Sequence, residues 1–178
     1  LHNWPASIDS TGLQRFADWE IRRIERVDKT PLGLLVTVSD VTRQKYVEEK
    51  MRLLASVLES TPDWVAVLSP GGTLLYLNRS AKVALGLKDS DPIHTLHYSN
   101  IHPGWASDLL RREGFPTALR EGIWEGETAF CSAQRGEIPV SQVLCSHLNP
   151  SGEVEFLSSI LRDITETHEF QAKLESAQ

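Results

Sequence analysis

Long apolar runs are missing from this sequence. An uncharged stretch rich in apolar residues such as Pro31–Val38 is far short of the roughly 20 residues that cross a bilayer as a helix. Direct membrane insertion is therefore not expected. Cysteine is scarce. Cys131 and Cys145 are the only two, and their spacing is not that of metal ligands. With no signal peptide at the start, they read as free thiols in a reducing compartment, which points to the cytoplasm. A basic surplus is also missing. Lys and Arg number 18 against 24 Asp and Glu, a net charge of −6 with the signs interspersed. That excludes the basic footprint of a nucleic-acid-binding surface. Catalytic sets are missing too: no Gly-x-Ser-x-Gly, no phosphate-cradling glycine loop, and no paired carboxylates near a nucleophile. An enzyme is not expected. The 178 residues allow one domain with extensions or two small ones. The first segment, starting at Leu1, reads as an excised piece of a longer protein.

A repeat is present. Val154–Thr165 reads as a mostly apolar strand ending in Asp-x-Thr and handing over to a charged helix, Glu166–Gln178. Pro31–Thr42 does the same ahead of the charged helix Arg43–Leu58. Asp40 and Asp163 are 123 residues apart, and so are Thr42 and Thr165. The helices keep that phase: Val47, Met51, Leu54 and Leu58 in the first, Phe170, Leu174 and Ala177 in the second. Spacings of four and three are those of a coiled-coil seam. Such seams either pack on their own domain or meet a partner helix. We read them as meeting a partner helix, which makes a homodimer.

Taken in order, Leu1–Ala17 carries turn chemistry at Trp4-Pro5 and Ser10-Thr11-Gly12. Asp18–Val27 alternates, with Trp19 and Ile21 on one face and Glu20 and Arg22 on the other. With Leu32–Val38 it predicts a hairpin turning at Asp28–Pro31. Asp63–Ser69 and Thr73–Leu77 read as paired strands about Pro70-Gly71-Gly72. Asn78 opens a short helix that Gly86 closes. Lys88–Pro103 is polar, and Trp105–Arg120 is helical, with Gly114 and Pro116 placed to split it. Three strands follow: Trp124–Ser132, Ile138–Leu148 and Val154–Thr165. This order predicts an α+β fold, a five-stranded antiparallel sheet with helices on one face, flanked by coiled-coil-like helices.

The order and motifs resemble the PAS (sensory-box) family. The matching pieces are Gly71-Gly72, Leu77-Asn78 before a short helix, Ile101-His102-Pro103, Gly122–Glu127, Arg135-Gly136, and Arg162-Asp163-Ile164-Thr165-Glu166. They span Thr61 to Glu166. The resemblance implies four pieces: residues 1–42 as the last strands of a preceding PAS-like unit, 43–60 as a connecting signalling helix, 61–165 as a PAS domain, and 166–178 as the start of an outgoing helix. Three strands alone are marginal, so residues 1–42 are expected to lean on the 61–166 domain or on a second chain. The implied function is a sensory and dimerisation module. It relays a ligand or conformational signal through its flanking helices to an output domain such as a histidine kinase or a cyclic-di-nucleotide enzyme. The alternative is a ligand-free protein–protein interaction scaffold.

Candidate sites follow from both readings. Asp163 and Thr165 leave a strand for a helix, where Asp163 can cap the helix or pair with a cation. Thr165 can bond to backbone near Trp124, fixing the angle of the outgoing helix. Asp40 and Thr42 are their counterparts in the first copy. Tyr76, Leu109, Leu119, Phe130, Val143 and Ile160 are candidates to line a small cavity. A fully packed core is the competing reading, and an apolar ligand suits these side chains better than a dicarboxylate. His94, His97 and His102 crowd one loop and read as solvated; His94-x-x-His97 lacks partner ligands for a metal. A haem form of the family would need a histidine on Trp105–Arg120, which has none. A photoactive flavin form would need a reactive cysteine beside that helix, whereas Cys131 and Cys145 fall on late strands. The cofactor is left unknown, with neither haem nor flavin expected.

Overall fold

A computed structural model describes residues 4–8 and 14–176. The chain divides into two compact units, Leu1–Ser56 and Val57–Gln178. In the first, strands β1 (Trp4–Ile8), β2 (Gln14–Glu25) and β3 (Pro31–Asp40) form an antiparallel sheet in that order. The predicted hairpin is β2–β3. Its turn is held by Asp28, whose Oδ1 accepts from the Thr30 amide at 3.0 Å, with Lys29 at a φ of 64°. Trp4-Pro5 is not a turn but part of β1. Proline lacks a ladder donor and is confined to edges and irregularities of sheets; Pro5 lies on the edge strand, next to a register shift. Ser10-Thr11-Gly12 lies outside the described residues.

Helix α1 runs Thr42–Ser60 and stops two residues before Pro62, because a helical residue before proline clashes with its ring. Its charge pairs are Lys45–Glu48 at 3.5 Å and Glu49–Arg52 at 2.6 Å, each three residues apart. Gln44 also donates to Glu48 and holds that carboxylate toward the start of the helix.

The second unit is an α+β domain. Strands β4 (Trp64–Leu68), β5 (Leu74–Leu77), β6 (Ile123–Ser132), β7 (Gly136–Leu148) and β8 (Val154–Asp163) form one sheet in the order β5-β4-β8-β7-β6, and every pairing is antiparallel. Helix α2 (Arg79–Leu85) is capped by Asn78, whose side chain accepts from the Ala81 amide. It closes at Gly86 in the left-handed conformation. The predicted long helix is three pieces: α3 (Gly104–Leu109), a π-turn over Leu110–Gly114, and α4 (Phe115–Glu121). Pro116 has no amide to donate, and its ring crowds the carbonyl four residues back. Widening to a π-turn absorbs that misfit. Helix α5 runs from Thr165 to Ser176.

The core lies between the sheet and the helices. Leu74, Leu77, Leu110, Phe130, Val140, Leu144, Leu157 and Leu161 are all buried, and Phe130 stacks on Trp64 with ring centroids 4.3 Å apart. This corrects most of the expected cavity lining. Successive strand residues face opposite sides, and the core takes Val140, Gln142 and Leu144 together with Leu157, Ser159 and Leu161. Val143 and Ile160 are cross-strand partners on the other face. Tyr76 is there too, opposite Val67. On the helices Leu110, not Leu109, is the fully buried residue, and Leu119 is exposed. Of the six, only Phe130 lies in the core.

Candidate functional site

The last residue of β8, Asp163, holds the outgoing helix. Asp163 Oδ1 accepts from the Thr165 amide at 2.9 Å and from the Thr165 hydroxyl at 2.6 Å, while Oδ2 takes a bond of 2.7 Å from Arg135 in the β6–β7 turn. Arg135 also reaches the Thr165 hydroxyl at 3.4 Å. Partial burial pushes the Asp163 carboxyl up, but the bonds from Thr165 and Arg135 outweigh it and leave its pKa below the ordinary value. Thr165 therefore bonds to Asp163 and Arg135, not to backbone near Trp124. Trp124 sits elsewhere: its ring lies over Gly126, where an added Cβ would meet it at 2.5 Å.

Arg162, one residue earlier, points to the other junction. Its guanidinium makes two bonds to the Asp63 carboxylate, 3.2 and 2.8 Å long. Asp63 immediately precedes β4, where the chain enters the sheet after α1. The same place is tied down by Asn78, which is fully buried. Its Nδ2 donates to the carbonyls of Leu58 and Asp63 at 3.0 and 2.9 Å, and its Oδ1 accepts from the amides of Val65 and Ala81, both at 3.1 Å. All four bonds of the amide are used. Glu59 adds a bond from the Tyr76 hydroxyl at 2.5 Å and one from the Arg79 amide at 2.8 Å. Burial, then Glu59, raises the Tyr76 pKa and keeps the phenol protonated. Tyr76, expected inside, thus serves the end of α1.

The first copy of the junction shows the same frame. The Val41 amide donates to the Phe16 carbonyl at 3.0 Å, and 123 residues on the Ile164 amide donates to the Pro139 carbonyl at 3.0 Å. Asp40 accepts from the Thr42 amide at 2.9 Å. The Thr42 hydroxyl, however, accepts from the Phe16 amide. Pro139 has no amide to offer, which leaves Thr165 free to turn to Asp163 and Arg135.

Inside the second unit a polar chain crosses three strands on the core face. Thr128 donates to Gln142 at 2.6 Å, and Gln142 to Ser159 at 2.9 Å. Beside it is a cavity of about 10 Å³, lined by Tyr98, His102, Leu110, Gln142 and Ser159 among others. That is space for about one water. His102, expected to be solvated, is only 5% exposed. Its Nδ1 lies 2.8 Å from the Tyr98 carbonyl, so Nδ1 carries the proton, and the buried Nε2 has no partner among the described residues. Burial pushes its pKa below 6.5, against the pull of the bond to the Tyr98 carbonyl. His97 is half-buried, with Nε2 3.0 Å from the Gly71 carbonyl, and His94 is exposed. Among the described residues no three His, Cys, Asp or Glu side chains are grouped to hold a metal.

The family model for the PAS fold matches residues 58–169. The chain belongs to the PAS family. Solved PAS structures agree on the fold. One is a PAS domain of a Colwellia psychrerythraea protein, 15% identical with a TM-score of 0.59, covering 66% of this chain and 98% of that one. Another is a PAS domain of an HTR-like protein from Haloarcula marismortui, 19% identical with a TM-score of 0.58, covering 68% and 98%. A third is a PAS domain from a two-component sensor histidine kinase, 11% identical with a TM-score of 0.53, covering 66% and 98%. No curated protein matches the chain. PAS domains are sensory signalling modules and typically non-catalytic. No helix among the described residues is long and apolar enough to cross a membrane.

The PAS domain gathers some expected residues and scatters others. Asp163 and Thr165 meet, with Arg135, which the Arg135-Gly136 motif marked as a turn residue and not as their partner. Asn78, Arg162 and Asp63 were likewise missed as a junction, although Leu77-Asn78 stood out as a motif. The seam residues Val47, Met51, Leu54, Leu58, Phe170 and Leu174 are all exposed, and neither α1 nor α5 has a buried residue. Ala177 lies outside the described residues. A second stripe on α1, Tyr46, Leu53 and Val57, is also exposed beside the first. Cys131 and Cys145 are half-buried free thiols on the outer face.

Proposed function

We propose that the chain is a cytoplasmic sensory and dimerisation module of a multidomain signalling protein. In this reading residues 1–42 are the last strands of a preceding PAS-like unit, 43–60 a connecting signalling helix, 61–165 the PAS domain, and 166–178 the start of the helix toward an output domain. One observation carries it: adjacent residues on β8, Arg162 and Asp163, pair with opposite junctions. Arg162 holds Asp63, where the chain arrives from α1. Asp163 holds Arg135 and Thr165, where it departs into α5. A shift of α1 pulls on Leu58, Glu59 and Asp63, and β8 passes the change to the first turn of α5. A relay of this kind needs two packings of similar energy, and the exposed seams offer a place for them in a homodimer.

The tightly packed core favours a conformational input: the cavity beside Gln142, about 10 Å³, has room for about one water. This favours the ligand-free scaffold within the same module. The test is a cross-link at the incoming helix read at the outgoing one. A Met51→Cys disulfide between two copies, in a Cys131→Ser, Cys145→Ser background, is expected to change amide exchange over residues 165–170. Unchanged exchange there would sink the relay. A native mass spectrum bears on the input: an added mass of a few hundred daltons per chain would replace the scaffold with a ligand sensor.

A further inference from the structure

The sheet of the first unit has a bare apolar face. The β2–β3 register places Trp19 opposite Val38, Ile21 opposite Val36 and Arg23 opposite Leu34, so these side chains share one face. Trp19, Ile21, Leu34, Val36 and Val38 are 48–68% exposed. The edge of β3 away from β2 has no strand partner among the described residues. An uncovered apolar face beside an open edge is a template for another strand.

The second unit shows what covers this face. Moving 123 residues along the chain turns β3 (Pro31–Asp40) into β8 (Val154–Asp163), and the start of α1 at Thr42 into the start of α5 at Thr165. The register is kept, since Ala17 faces Asp40 just as Val140 faces Asp163. The exposed positions map onto buried ones: Leu34, Val36 and Val38 onto Leu157, Ser159 and Leu161, and Trp19 and Ile21 onto Gln142 and Leu144. In the second unit β4 pairs with the edge of β8, Trp64 to Leu161 through Leu68 to Leu157, and the helices close over the face.

We infer that the face formed by Trp19, Ile21, Leu34, Val36 and Val38, with the open edge of β3, is a docking surface for the first half of another PAS fold. The partner is an apolar strand running antiparallel to β3, followed by helices that lie on the face. This rests on the reading of residues 1–42 as the end of a PAS-like unit. A second copy of this chain is not the donor. The one such segment among its described residues, 64–121, already closes its own core, and lending it would leave that core open.

The probe is a peptide of residues 63–70, the strand that pairs with β8, added to the purified 178-residue chain while amide exchange is followed over Leu34–Val38. By the 123-residue correspondence it pairs Trp64 with Val38 and Leu68 with Leu34. Exchange is expected to slow at least about tenfold, as strand addition protects an edge. A control peptide with Val65→Pro and Ala66→Pro, which removes ladder donors, is expected to leave it unchanged. Fast exchange that the peptide does not slow would overturn the inference. So would protection in the chain alone that Val36→Asp abolishes together with a halving of the native mass, since the face would then be closed by a second copy. Neither result touches the relay at Asp163, which the Met51→Cys experiment judges separately.

Discussion

At the scale of single residues, the two ionisable groups that matter sit in opposite environments. Asp163 is a bonded, partly exposed carboxylate whose pKa is depressed in the folded state. Its contribution is present above the ordinary value near 3.8 and is lost as pH falls through the folded value. Asp163→Asn keeps an amide oxygen that can cap but loses the charge paired with Arg135, and is expected to cost up to about 1 kcal/mol at pH 7. The gap from wild type should narrow below pH 4 in denaturant unfolding curves; a gap that stays constant would mean the charge contributes nothing. His102 is buried and neutral, also with a depressed pKa. Above 6.5 both folded and unfolded chains hold it uncharged. Below 6.5 the unfolded chain takes a proton that the folded chain resists, so stability falls with pH by up to about 1.4 kcal/mol per unit until the folded value is passed. His102→Gln is expected to flatten that slope between pH 6.5 and 5, read as the difference between thermal melts, because the other histidines are common to both proteins.

At the scale of elements, the unit of stability at the incoming junction is Asn78 with the four groups it serves. Asn78→Ala strands two amides and two carbonyls at the edge of the core, and unpaired buried groups cost about 1–3 kcal/mol each when water cannot reach them. A total loss of roughly 2–4 kcal/mol is expected, with faster exchange at residues 57–60; a loss under about 1 kcal/mol would show that water replaces the side chain. Local chemistry made this element partly legible. Asn before Arg-Ser and Gly at 86 marked both ends of α2, and Gly71-Gly72 marked the turn where Gly72 has a φ of 88°. Short-range signals of that kind placed the five strands of the second unit and its first helix. Contacts across the fold were not legible. Arg162 and Asp63 lie 99 residues apart, and no pattern ties one guanidinium to one carboxylate at that distance. The inner face was misjudged because the outward Val143 and Ile160 are as apolar as the inward Leu144 and Leu161. Gln142 and Ser159 are buried by bonding to each other and to Thr128, and His102 by its bond to the Tyr98 carbonyl, none of which hydropathy reports. Strand β1 was hidden because Pro5 reads as a turn wherever an edge strand is not suspected.

At the scale of the whole molecule, the open question is what the exposed helix faces meet. Helix α1 is 19 residues long with no buried residue, although most helical stability in proteins comes from packing an apolar face. Two adjacent stripes, Val47-Met51-Leu54-Leu58 and Tyr46-Leu53-Val57, make its apolar face wider than the narrow seam of a two-stranded coiled coil, closer to the stripe of a helix in a bundle. In the proposed homodimer, helices of the second chain would cover that width. Met51→Glu with Leu54→Glu places charges in the middle of the seam, where neither residue touches the PAS core. The double variant is therefore expected to keep its circular-dichroism signature of a folded sheet while its sedimentation equilibrium shifts from dimer toward monomer, by at least about tenfold in dissociation constant if only one of the two positions is fully buried at the interface. Phe170→Glu tests the breadth of the contact. If α5 joins the same bundle, it weakens the dimer as well; if it does not, α1 alone forms the interface. A dimer that survives all three substitutions would place the interface away from the helices and remove the seam as the route by which α1 informs α5.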